Sequence, residues 1–154
     1  PLWTVHKRCA LGSDISEREI NISQNSFSSS ILPMLQAHSS VAPESAYIGK
    51  AKADVITIDS IFDSYQKNNE KTYLKIDVQG FEKEVLEGLT LNLKNIFAVQ
   101  LELSIVPLYD KQELYKYFFS FFEKNGFILW SLMPVLHSSK TGELLQFDAI
   151  FVKK

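Results

Sequence analysis

The chain has 154 residues, of which 45% are hydrophobic and 22% charged, a composition that indicates one globular domain and excludes disordered or collagen-like chains. Its 16 basic and 18 acidic side chains leave a formal charge of -2, so no basic surface for nucleic acid or an anionic membrane is indicated. The single cysteine, Cys9, cannot form an intrachain disulfide, which favours a cytoplasmic location. No apolar run approaches the roughly 18 to 20 residues of a membrane-spanning helix.

Runs rich in β-branched and aromatic residues alternate with helical patterns along the chain. Strands are predicted at residues 3–11, 19–23, 53–58, 72–78, 97–105, 127–132 and 144–152. Helices are predicted at 60–66, 81–89 and 112–124, with a short helix at 31–37 inside a serine-rich loop. This alternation favours right-handed crossovers and a mostly parallel α/β sheet.

The last two predicted strands are expected to form an antiparallel hairpin at one edge of the sheet. The short segment between them contains Pro134 and a turn-forming stretch at 139–142. The final strand would then begin at the edge where the parallel strands end. Asp148 would face that edge, unless it is simply a solvated residue near a strand start. The sequence shows no repeat and no linker, so we expect a single domain over residues 1–154.

Polar side chains interrupt two strands that should be apolar on both faces. Alternation places Lys75 and Asp77 on one face of their strand, and Gln100 shares a face with Glu102 in the next. Buried without partners, such groups would be costly. Ligands of open α/β sheets bind beyond the carboxyl ends of the strands, where Asp77 and Glu102 lie. A functional cleft at this edge is therefore predicted, with a hydrogen-bonded strand end as the alternative for Asp77.

A tight turn connects Asp77 to the next predicted helix. Gly80 permits a sharp bend or the close approach of a ligand. Glu82 falls in the first helical turn, where free amides and the helix dipole favour a carboxylate. Glu82 is therefore either a capping residue or a member of the same acidic group.

Four sequence blocks, taken in order, resemble the FkbM-type methyltransferase family. They are LKIDVQGFE at 74–82, VLEG at 85–88, QLEL at 100–103 leading to PLY at 107–109, and QFD at 146–148 with Phe151. The resemblance covers nearly the whole chain. It implies a Rossmann-like class I methyltransferase fold, with a mostly parallel sheet and an antiparallel C-terminal strand, and S-adenosylmethionine as the cofactor.

The resemblance also implies elements that the sequence lacks. Class I methyltransferases begin with a glycine-rich turn for S-adenosylmethionine and a second strand that ends in an acid for its ribose. No two of the six glycines stand at G-x-G spacing. On this comparison residues 3–11 are the third strand. The chain is then expected to be a partial methyltransferase domain without the first two strands, inactive and a poor binder of S-adenosylmethionine in isolation.

Methyl transfer to a hydroxyl requires alignment of the acceptor and removal of its proton. We expect Asp77 to orient the acceptor hydroxyl or to lie against the sulfonium of the cofactor. Glu82 and Glu102 are expected to bind acceptor hydroxyls or to serve as the base. Gln79 and Asp148 are the predicted substrate-binding residues.

Two further cofactor residues follow only from the resemblance. The loop that contains Gly12 and Asp14 corresponds to the segment that contacts the adenine ring in such folds. A plain turn has the same composition, and it remains the alternative.

The leading interpretation is an S-adenosylmethionine-dependent O-methyltransferase in the full-length parent, acting on a sugar, glycan or small metabolite. The main alternative is a non-catalytic remnant or binding module with the same fold. A third is hydrolysis with Mg²⁺ held by Asp77, Glu82, Glu102 and Asp148. No His or Cys pattern with metal-site spacing is present, and no metal is predicted in the leading interpretation. An incomplete sheet would expose an edge, so self-association is also expected.

Overall fold

The computed structural model describes residues 3–66 and 70–154. These residues form seven strands and four α-helices. In chain order they are β1 (Ala10–Leu11), β2 (Ser16–Ser23), α1 (Gln36–Ser39), β3 (Tyr47–Ile56), α2 (Ile58–Tyr65), β4 (Thr72–Ile76), α3 (Glu82–Glu87), β5 (Ile96–Ser104), α4 (Tyr115–Lys124), β6 (Phe127–His137) and β7 (Leu144–Lys153). No helix within these ranges is long and apolar enough to cross a membrane.

The larger sheet contains four strands in the order β4-β5-β7-β6. β4 and β5 are parallel, whereas β7 runs antiparallel to both β5 and β6. β4, β5 and β6 therefore share one direction, and the start of β7 lies at the edge where β4 and β5 end. The predicted hairpin of the last two strands and the reversed direction of the final strand are confirmed.

A second sheet has the order β1-β3-β2. Its short first strand is parallel to β3, and β2 is antiparallel to β3. The prediction of a mostly parallel sheet was therefore wrong: three of the five strand pairings are antiparallel, and the strands form two sheets. The reason is that β2 and β3 fold back on each other, a pairing that the hydrophobic pattern of each strand does not specify.

Two local predictions also need correction. Of the predicted strand at residues 3–11, only Ala10–Leu11 pairs with another strand in the described structure. The helix predicted at 31–37 is replaced by α1, which starts five residues later. Residues 33–35 instead bond to a distant loop, because Pro33 accepts from the Asp110 amide and the Leu35 amide donates to Leu108.

Helices α3 and α4 pack on one face of the larger sheet and create the main core. The sheet contributes Ile76, Val99, Leu101, Leu103, Phe147, Ala149 and Phe151, and the helices contribute Val85, Leu86, Phe118 and Phe122. Phe122 stacks on Phe151 with the ring centroids 4.4 Å apart. The end of α4 agrees with its predicted stop, since Gly126 takes a positive φ of 80° just after the helix.

Candidate functional site

The face of the larger sheet opposite the helices carries polar side chains. The strand register pairs Lys75 with Gln100, and Glu102 with Asp148. Directly opposed residues of neighbouring strands project from the same face. The carboxylates of Glu102 and Asp148 therefore stand on adjacent strands of one surface, which we call the polar face.

The side chain of Gln79 joins Asp77 to Glu102. Its Nε2 donates to Asp77 Oδ1 and to Glu102 Oε2, at 3.0 Å in both cases. Lys75 Nζ contacts the other oxygen of Asp77 at 2.6 Å. Gln146 Nε2 is a second donor to Glu102 Oε2, at 3.0 Å. Both carboxylates are thus held by donors on their own sheet and on the turn after β4.

The turn after β4 has an unusual backbone that places Gln79 between the two acids. Gln79 and Gly80 both have a positive φ, of 57° and 95°. The Gln79 carbonyl accepts a hydrogen bond of 2.6 Å from Ser30 Oγ. A Cβ added at Gly80 would lie 2.9 Å from Tyr109 Cδ2. The expectation that Gly80 is needed for a sharp turn is therefore confirmed, because neither its φ nor its packing suits a side chain.

The carboxyl group of Glu102 has a raised pKa. Its burial raises the pKa to about 7, the charge of Asp77 acts in the same direction, and the Gln79 hydrogen bond opposes them. A carboxyl group that titrates near neutral pH can both accept and return a proton.

Glu82 occupies a different environment from Glu102. Its side chain is only 3% exposed, and Oε1 accepts from the Gly80 amide at 3.1 Å. Burial raises the pKa of Glu82 to about 7. The contact with Gly80 favours a role in supporting the turn over direct contact with a substrate.

Asp77 borders a cleft of about 300 Å³. The walls include β1, residues 29–31 and Phe81, which ends the turn and precedes α3. The Asp77 side chain retains 41% of its accessible surface. A ligand in this cleft would therefore meet a carboxylate whose position Gln79 and Lys75 define.

The structure does not bring Gly12 and Asp14 to this cleft. The Gly12 amide donates to the Ile56 carbonyl at 3.0 Å. The Asp14 carboxylate is exposed and contacts Arg18 at 3.0 Å. Asp148 is closer to the site: it opposes Glu102, and its Oδ2 accepts from Gln100 Nε2 at 2.8 Å.

Sequence reasoning assigned no role to two residues that help to hold the carboxylates in place, Gln146 and Tyr109. Gln146 could have been found by the same alternation that identified Glu102, since it shares a face with Asp148. Tyr109 lies in one of the blocks that carry the family resemblance, but nothing in its local pattern indicates that its hydroxyl donates to Gln79 Oε1 at 2.7 Å. That contact joins residues 30 positions apart.

The acids do not form a metal centre. Within residues 3–66 and 70–154, no group of three or more His, Cys, Asp or Glu side chains is arranged to hold a metal ion. The Mg²⁺ interpretation therefore gains no support.

In open α/β sheets ligands bind beyond the carboxyl ends of the parallel strands, and the cluster of acids and amides lies at that edge of the larger sheet. A protein-family model described as the Methyltransferase FkbM domain matches residues 3–129. This range is most of the chain, so the chain belongs to the FkbM methyltransferase family, and the resemblance seen in the sequence is confirmed. No curated protein and no solved structure gave a significant match. Gln146 and Asp148 lie beyond the matched range.

Proposed function

We propose that this chain provides the acceptor-binding and proton-accepting groups of an S-adenosylmethionine-dependent methyltransferase that methylates a hydroxyl oxygen of a sugar or other small metabolite. Membership of the family supports the methyltransferase activity. The observation that supports the assignment of the site is the bridge formed by the Gln79 side chain. Its Nε2 donates to Asp77 Oδ1 and to Glu102 Oε2, at 3.0 Å in both cases. This bridge sets a group able to accept a proton beside a carboxylate that borders a cleft.

The arrangement of the larger sheet supports a Rossmann-like class I assignment. The strands β4, β5 and β6 run in one direction, and the reversed β7 lies between β5 and β6. Helices α3 and α4 form the connections from β4 to β5 and from β5 to β6. This is the antiparallel C-terminal strand that the family resemblance implies.

Asp77 fits a position beside the sulfonium of S-adenosylmethionine, because it presents a partly exposed carboxylate to the cleft. When bound, the cofactor supplies a methyl group attached to a positively charged sulfur, and the leaving group is a neutral thioether. Gly12 and Asp14 fit less well, since neither residue lines the cleft that Asp77 borders. We therefore assign cofactor contact within the described residues to Asp77.

Glu102 is assigned the role of base. Gln79 and Gln146 both donate to its Oε2, whereas no donor among residues 3–66 and 70–154 binds Oε1, so this oxygen is available to the acceptor hydroxyl. Glu102 would accept the proton of the acceptor hydroxyl as that oxygen is methylated. Asp148, on the neighbouring strand, is assigned the binding of a second hydroxyl of the acceptor.

The test is transfer of tritiated methyl groups from S-adenosylmethionine by the full-length protein. The acceptors are a panel of monosaccharides, oligosaccharides and hydroxylated polyketide-type compounds. We expect Asp77→Asn and Glu102→Gln each to reduce turnover by about 100-fold or more, because positioning and proton transfer each contribute on that scale. Asp63→Asn, an exposed position on α2, is the matched control and should retain parental turnover.

Near-normal turnover in Asp77→Asn would contradict the site assignment. Acceptor binding without any methyl transfer by the parent would instead favour the non-catalytic binding module.

The pH profile gives a second test of the base. Only the ionised form of Glu102 accepts a proton, and its pKa is raised to about 7. Turnover of the parent should therefore fall as the pH drops below about 7. In Glu102→Gln the residual rate should lose this inflection, and an inflection that persists unchanged would assign the base to another group.

A further inference from the structure

The side-chain amide of Gln79 has a complementary partner at each end. Its Oε1 accepts the hydroxyl proton of Tyr109 at 2.7 Å, and its Nε2 donates to Asp77 and Glu102. Tyr109 is completely buried. A buried phenol proton needs an acceptor, and Gln79 Oε1 is the one it has within the described residues.

The opposite orientation of the amide would be unfavourable at both ends. Rotation by half a turn would point Oε1 at the oxygens of Asp77 and Glu102, and it would leave the Tyr109 proton without its acceptor. The terminal torsion of a glutamine is soft, so the side chain itself does not select one orientation. The selection must come from the groups around it.

We propose that Tyr109 is a positioning residue of the methyl-transfer site, whose hydroxyl fixes the Gln79 amide in the orientation that presents Nε2 to both Asp77 and Glu102. The link to methyl transfer rests on the function proposed above. The geometric part, in which Tyr109 acts on the two carboxylates through Gln79, stands on the hydrogen bonds alone.

Tyr109 is itself held rigidly enough for this role. Its ring packs where a Cβ on Gly80 would be, within 3.0 Å. Its backbone amide donates to Gln112 Oε1 at 2.7 Å, and Gln112 Nε2 donates to Ser104 Oγ at 3.0 Å. Ser104 lies on β5, two residues after Glu102 and on the same face. The loop that carries Tyr109 is therefore tied both to the turn that carries Gln79 and to the strand that carries Glu102.

The main test is the titration of Glu102, followed by the ¹³C signal of its carboxyl group. The hydrogen bond from Gln79 lowers the pKa of Glu102, so an amide that is no longer fixed should lower it less. We expect Tyr109→Phe, which keeps the ring, to raise the Glu102 midpoint by about half a pH unit or more. A folded Tyr109→Phe variant with the parental midpoint would overturn the proposal.

Tyr47→Phe is the matched control. The Tyr47 hydroxyl also makes a hydrogen bond inside the protein, to the Leu32 carbonyl at 2.8 Å, and within the described residues it has no hydrogen bond to the Gln79 side-chain amide. Removing it should leave the Glu102 midpoint in place. An equal shift in the Tyr47→Phe variant would show that any lost phenol moves the midpoint, and the proposal would fail.

A double-mutant cycle tests the route through Gln79. In a Gln79→Ala background there is no amide to orient, so Tyr109→Phe should add no further change in the Glu102 midpoint. The same shift in both backgrounds would overturn the proposal.

The parent protein offers a measurement that needs no variant. The Tyr109 hydroxyl proton should exchange slowly with water, and fast exchange would contradict the buried hydrogen bond.

The methyl-transfer assay separates this proposal from the proposed function. With an active parent, Tyr109→Phe should move the pH midpoint of turnover in the same direction as the Glu102 titration. A parent without methyl transfer, but with the Glu102 shift in Tyr109→Phe, would reject the proposed function and retain the positioning. A parent with methyl transfer, but without a Glu102 shift in Tyr109→Phe, would retain the proposed function and reject the positioning role of Tyr109.

Discussion

The two faces of the larger sheet are made by alternate residues of the same strands, yet their environments differ sharply. On β5, Leu101 and Leu103 are buried under α3 and α4, whereas Gln100 and Glu102 form part of the polar face. Because side chains alternate along a strand, one backbone can place a packed core and a group of acids a few ångströms apart. The comparison teaches that stability and chemistry are separated here by face and not by strand.

The largest effect should come from the core face. Leu101 is fully buried, so Leu101→Ala should lower the free energy of unfolding by about 3 to 5 kcal/mol, through lost burial and the cavity left behind. Urea denaturation measures it. The neighbouring Gln100→Ala, on the polar face, should cost much less, and equal costs at the two positions would refute the separation of the faces.

The second-largest effect concerns the buried acid Glu82, which lies at the start of α3 next to the turn. Its burial should make the stability of the protein depend on pH. Its pKa is raised from 4.5 to about 7 in the folded protein, so the folded state binds the proton more tightly than the unfolded state. The stabilisation from the protonated form is complete below pH 4.5 and is lost as the pH rises through about 7. The shift corresponds to about 3 kcal/mol.

Denaturation curves between pH 4.5 and 8 should therefore show falling stability in the parent and about half of that fall in Glu82→Gln. The residual fall belongs to Glu102, whose pKa is also raised. The exposed Glu123→Gln on α4 should keep the full dependence. Identical curves for the parent and Glu82→Gln would show that Glu82 is not buried as an acid.

Close packing behind the turn is tested at Gly88, the residue that ends α3. A Cβ there would lie 2.1 Å from the Gly12 carbonyl oxygen, so the backbone of one segment must move. Gly88→Ala should destabilise the protein by about 1 to 3 kcal/mol, the usual cost of overpacking. Gly49→Ala is the control, because nothing lies within 4 Å of a Cβ at that position. Thermal unfolding that does not distinguish the two variants would contradict the contact.

The smallest effect is expected on the polar face. Lys75 and Asp77 form an ion pair of 2.6 Å, but their side chains are 50% and 41% exposed. Exposed pairs contribute little, so Lys75→Met should change the free energy of unfolding by less than about 1 kcal/mol. The adjacent Ile76→Ala, on the core face, should cost several times more. A larger loss in Lys75→Met would mean that the polar face also stabilises the fold.

Local patterns were enough to predict most of the individual elements. The alternation in residues 72–78 and 97–105 indicated β4 and β5 and assigned Asp77 and Glu102 to the edge of the sheet. The sharp turn at Gly80 and the end of the helix at Gly126 were also predicted correctly. These features depend on neighbours in the sequence, so the pattern of side chains along a short segment is sufficient to specify them.

Pairing between distant segments was where prediction failed. The sequence did not predict that β2 pairs with β3 in antiparallel fashion or that the strands divide into two sheets. The hydrophobic pattern of a strand indicates which of its faces is buried, but it does not indicate which strand pairs with it. The displacement of the short helix from 31–37 to α1 has the same origin, since residues 33–35 bond to the loop around Tyr109.

The sequence by itself determined the family, the acids at the strand ends and the glycine that the turn requires. Only the tertiary structure decided that Glu82 is enclosed while Glu102 is held by amides, and that Gln79 is oriented by Tyr109. The physical reason is that burial raises a carboxyl pKa and directional hydrogen bonds orient an amide, and both depend on groups that the fold brings together from distant parts of the chain.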